Sequence, residues 1–114
     1  MTLDECKQIR DEIQRQITAI MERMDAERYL DRDKIECLRN YCRIIRPKIS
    51  GRYGNIGSKV SELADYSDRA LKDGRLDNLD RGLMAINFTI KIHAQSEARA
   101  GTSGGTESSA GECE

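Results

Sequence analysis

With 114 residues, of which 38% are hydrophobic and 34% charged, the chain has the size of one small domain. Soluble domains run at about 45–50% apolar with glycine counted and about 25% charged, and one Phe with no Trp leaves Ile, Leu, Val, Met and Ala to fill the core. Such a composition excludes a sandwich or barrel, which needs many strand and turn signals, and a net charge of -1 exerts no overall pull on polyanions.

The first predicted element opens on Thr2-Leu3-Asp4-Glu5, a capping box in which Thr2 caps and Glu5 reaches back. Leu3, Cys6, Ile9, Ile13, Ile17, Ile20 and Met24 then follow in steps of three and four, so they share one helical face over residues 3–27. That helix is roughly 36 Å long at 1.5 Å per residue. Continuing the phase would bring Arg28 and Asp31 into the apolar seam, so a break is expected there. Asp33 and Glu36 offer a second N-cap, and Ile35, Leu38, Cys42 and Ile45 form the face of a second helix over 34–46. The intervening turn has neither Gly nor Pro, which leaves one long bent helix as the alternative. Pro47 ends the second helix.

The stretch Cys37–Lys59 has no acid and six bases, and carries the one proline and glycines at 51, 54 and 57. It is the expected joint between two helical pairs. Ser58 is the expected cap of a third helix with a weak, small-residue face of Val60, Leu63, Ala64, Ser67, Ala70 and Leu71, stopped at Gly74. The fourth helix opens at Asp77 with Asp80 three residues on. It carries one apolar stripe of Leu79, Leu83, Ile86, Ile90 and Ala94 and another of Met84, Phe88 and Ile92. These stripes lie about 140° apart around the helix. Residues 86–93 also alternate as a half-buried strand would. Helix is favoured, because no second strand exists for them to pair with. The expected fold is therefore all-α: a small antiparallel bundle of about four helices in two hairpins, residues 1–98, followed by a disordered Gly/Ser/Glu tail over 99–114.

Two surfaces carry functional expectations. The first is the basic joint, with Arg39, Arg43, Arg46, Lys48, Arg52, Tyr53 and Lys59 as a candidate anion or nucleic-acid surface. Glycine N–H groups and a helix N-terminus favour phosphate there, and Tyr41 and Tyr53 offer faces for base stacking. Complementation of a helix C-terminus by Arg43, Arg46 and Lys48 accounts for the same residues without a ligand. Gly51-Arg52-Tyr53-Gly54 is similar to the GxxG loop of KH domains, but those need a three-stranded sheet. Gly57-Ser58-Lys59 departs from the P-loop order, and Arg69 and Leu71 stand where a calcium loop places its first ligands.

The second surface is the stripe Met84, Phe88 and Ile92, which needs a cover of its own and predicts a homodimer in which the last helices meet. Catalysis is not expected. Cys6, Cys37, Cys42 and Cys113 lack metal-ligand spacing, His93 is the single histidine, and no nucleophile–base set assembles. No cofactor, metal or small-molecule substrate is implied. The charged N-terminus and the absence of an apolar run of spanning length point to a reducing cytoplasm with free thiols and no membrane. The chain thus reads as a non-catalytic protein–protein interaction or assembly module, self-associating, with nucleic-acid binding through residues 39–59 as the alternative.

Overall fold

The computed structural model describes residues 1–102. Within them the elements are α1 (Leu3–Glu27), α2 (Arg32–Ile45), two short 3₁₀ turns (Arg46–Lys48 and Gly51–Tyr53), α3 (Gly54–Asp73) and α4 (Asp77–Thr102). The capping box at the start of α1 is complete: the Glu5 N–H donates to Thr2 Oγ1 at 3.2 Å and the Thr2 N–H to Glu5 Oε1 at 2.7 Å. α1 ends where the seam phase breaks. Arg28 takes the left-handed conformation, φ 54°, and donates its N–H to the Met24 carbonyl. A residue other than glycine is unusual there, and no sequence signal marks it.

α2 begins two residues earlier than its pattern suggested. Asp31, not Asp33, is the cap: its carboxylate accepts from the Lys34 N–H at 3.2 Å and from Arg23 of α1 at 2.8 Å. Burial opposes ionisation of Asp31, but these donors outweigh it and hold the carboxyl below its ordinary value. α3 likewise starts early, at Gly54, because the turn Gly51–Tyr53 runs straight into it; Ser58 lies one turn inside the helix rather than capping it. The alternating stretch 86–93 is helical, inside α4. α4 also runs past the expected tail boundary to Thr102. The rest of the expected tail, with Cys113, lies outside the described residues.

Each helix is antiparallel to the next. Between α2 and α3, Arg32 reaches the Leu71 carbonyl and Arg39 reaches Asp68, so one index rises as the other falls. Between α3 and α4, Asn55 meets His93 while Tyr66 lies beside Gly82. α4 returns beside α1, where Arg10 donates to Asn87 at 3.0 Å, and the four helices close into a ring. Sequence suggested two hairpins hinged at the joint. In the fold, the pair that the joint connects, α2 and α3, is packed more extensively than α1 and α2.

The core collects one stripe from each helix. Ile9, Ile13, Ile17 and Ile20 meet Ile35, Leu38 and Cys42, then Val60, Leu63 and Ala64, then Leu79, Leu83, Ile86 and Ile90. Full burial of one such Ile or Leu contributes roughly 1.5–3 kcal/mol. Ile49 and Tyr53, from the joint, close one end of this core. Among the described residues no helix is long and apolar enough to cross a membrane.

Candidate functional site

The joint is short of free charge. Arg39 and Arg43 both bind the Asp68 carboxylate of α3, Arg39 at 3.1 Å. Partial burial pushes that carboxyl up, but the two guanidinium groups prevail and hold it below its ordinary value. Arg52 lies 3.5 Å from Glu97 of α4, and Lys59 lies 3.6 Å from Glu62. Arg46 and Lys48 are exposed and make no ion pair among the described residues.

Tyr53 does not offer a stacking face. It is 4% exposed, and its hydroxyl donates to Glu97 while the His93 ring meets its edge at 5.0 Å. That hydrogen bond, with burial second, raises the Tyr53 hydroxyl above its ordinary value. Tyr41 is half-buried against the core. His93 Nε2 sits 2.8 Å from Asn55 Oδ1, so the lone histidine ties the end of α4 to the start of α3. Glu97 is therefore the hub of this end of the bundle. Sequence reasoning passed over it because its partners lie more than forty residues away.

The three glycines do three different things. Gly51 holds φ +65°, the conformation that the turn between Ser50 and Tyr53 requires. Gly54 is helical and faces open space. Gly57 is buried, and a Cβ placed on it would lie 2.8 Å from the Ile49 carbonyl oxygen. The N–H groups of Ile49, Tyr53 and Gly54 are bonded within the turns, to Arg46, Ser50 and Gly51 respectively.

A groove of about 400 Å³ is bounded by Arg52, His93, Ser96 and Glu97 at this end. Another of about 240 Å³, at the α3–α4 turn, brings Arg69, Arg75 and Arg81 together with Asp73 and Asp77. Arg75 and Asp77 approach to 3.6 Å across it. Among the described residues, no group of three or more His, Cys, Asp or Glu side chains is placed to hold a metal ion. Cys6, Cys37 and Cys42 are free thiols, and burial pushes Cys42 up to about 12.

The outer face of α4 has a different character. Met84, Phe88 and Ile92 are 62%, 64% and 46% exposed, and successive steps of four residues align them. Leu83, Ile86 and Ile90, on the opposite side of the same helix, are buried. Asp77, Arg81, Gln95 and Arg99 are exposed at the two ends of this face. A further large apolar side chain, Ile44 of α2, is 66% exposed, and the apolar periodicity did not single it out. Searched against family models, curated proteins and solved structures, the chain matches none of them.

Proposed function

We propose that this protein is a non-catalytic α-helical interaction module that assembles with itself through the outer face of α4. One observation carries the reading. The core is closed by Leu79, Leu83, Ile86 and Ile90, yet α4 carries three further large apolar side chains on its solvent side. A continuous apolar patch of this kind marks an interaction surface, and covering one Phe contributes roughly 1.5–3 kcal/mol. Isologous pairing covers the stripe twice with one set of residues. Sedimentation equilibrium on the wild type and on Phe88→Glu tests it. The wild type is expected as a homodimer and the variant as a folded monomer. A wild-type monomer, or a variant that unfolds, would sink the reading.

The alternative, a nucleic-acid surface on the joint, draws its support from Arg46 and Lys48. The neighbouring Arg39, Arg43 and Arg52 face carboxylates that a phosphate must first displace. A cytoplasmic setting goes with either reading and is supported by the free thiols of Cys6, Cys37 and Cys42.

A further inference from the structure

Resting on the self-association reading above, we propose that two copies meet α4 to α4 in antiparallel orientation, with the two-fold axis beside Phe88. The argument begins with spacing. Met84 and Ile92 lie four residues on either side of Phe88, Arg81 and Gln95 lie seven, and Asp77 and Arg99 lie eleven. Offsets of four, seven and eleven are those at which an α-helix returns to the same line. All seven residues are exposed, so the outer face of α4 is symmetric in position about Phe88.

The face is also complementary in charge when reversed. An antiparallel partner places its Arg99 over Asp77, an exposed carboxylate that Arg75 of the same chain also approaches at 3.6 Å, its Gln95 over Arg81 and its Ile92 over Met84, and repeats each pairing on the other side of the axis. Phe88 meets Phe88. A parallel partner would instead stack Asp77 on Asp77, Arg81 on Arg81 and Arg99 on Arg99. Like charges so juxtaposed disfavour an arrangement, so the face selects a second copy of itself and selects its direction. The two bundles then extend to opposite sides of the shared seam, and the two Arg46–Lys48 turns stand toward opposite ends of the assembly.

Oxidative cross-linking reads the register directly. In a Cys37→Ser, Cys113→Ser background, Phe88→Cys is expected to form a disulfide-linked dimer. Met84→Cys and Ile92→Cys are each expected to remain unlinked alone. Two copies of Met84 stand eight residues apart along the seam, about 12 Å, beyond the roughly 7 Å that a disulfide spans between Cα atoms. Mixed together, Met84→Cys and Ile92→Cys should link to each other.

Asp77→Arg should weaken the dimer about tenfold through two reversed pairs. Arg99→Asp in the same chain should restore it. Self-linking by Met84→Cys, or no restoration by Arg99→Asp, would overturn the antiparallel register while self-association stands. A wild-type chain that sediments as a monomer at its highest soluble concentration would overturn both, and leave the face to a different protein.

Discussion

Alanine at each of the three joint glycines should give three different results, and the structure fixes each sign. Gly54 has φ -55° and ψ -33°, and a Cβ there meets nothing within 4 Å. Alanine fits that conformation and restricts the unfolded chain, so Gly54→Ala should stabilise by about 0.4–1 kcal/mol. Gly51 also faces open space, but at φ +65°. The left-handed conformation costs an L-residue roughly 1–2 kcal/mol, so Gly51→Ala should destabilise by about 1 kcal/mol. Gly57 is helical, where alanine alone would contribute up to about 1 kcal/mol. Its Cβ, however, would lie 2.8 Å from the Ile49 carbonyl oxygen and 3.4 Å from the Ile49 Cβ. The obstacle is backbone whose own N–H is bonded to Arg46 at 3.0 Å and whose side chain is buried, so it cannot swing aside. Overpacking of this kind costs roughly 1–3 kcal/mol, which cancels the helical gain and leaves Gly57→Ala destabilising by up to about 2 kcal/mol. Thermal unfolding of the three variants separates these effects, since about 1 kcal/mol moves the melting point of a domain this small by about 4 °C. Stabilisation by Gly57→Ala equal to that of Gly54→Ala would refute the close approach of α3 to the joint. The same sign at all three positions would refute the assignment of the glycines altogether.

Ile13→Asp and Leu38→Asp each place an unpaired charge at a position with no exposed surface, and each should cost roughly 4 kcal/mol or more; unchanged thermal melts would refute the seam between α1 and α2. Asp68, held below its ordinary carboxyl value by Arg39 and Arg43, supplies stability that is present above the unfolded value of about 3.9 and lost as pH falls toward and below it. Asp68→Asn should therefore melt lower than the wild type at neutral pH, with the gap closing as the solution is acidified; a gap that widens in acid would have the wrong sign. Reversal of Arg46, Lys48 and Arg52 to Glu should abolish any salt-sensitive binding of a DNA or RNA oligonucleotide in an anisotropy titration, and absence of wild-type binding at low salt would remove the nucleic-acid alternative.

What the sequence made legible was the part that depends on local period. The isoleucines of α1, Ile35, Leu38 and Cys42 of α2, and Leu79, Leu83, Ile86 and Ile90 of α4 fall into the core at their expected positions, whereas Ile45 and Ala94, expected on the same faces, are only half-buried. What it hid depends on residues distant in sequence. Asp31 became the cap of α2 because Arg23, one helix back, already holds its other oxygen. Tyr53 became a core residue because Glu97 and His93 arrive over it from α4. The joint looked basic because its carboxylate partners, Asp68 and Glu97, belong to other segments of the chain. Local composition reports charge density along the chain, whereas binding depends on charge left over after folding.

The ambiguity of residues 86–93 and the proposed function of α4 share one cause. On a helix, residues four apart stay on one face, while residues two apart lie about 200° away. Ile86 and Ile90 are one such pair and are buried; Phe88 and Ile92 are the other and are exposed. Interleaved, two apolar faces on opposite sides of a helix produce a period of two, which is the signature of a strand. A helix with one buried face and a charged outer face would not show it, because Phe88 and Ile92 would be polar. The strand-like alternation is thus the trace in sequence of a second apolar face, and that face is the one assigned to self-association. Replacing Phe88 with Glu removes the strand signal and the exposed patch together, while Ile86 and Ile90 keep their place in the core.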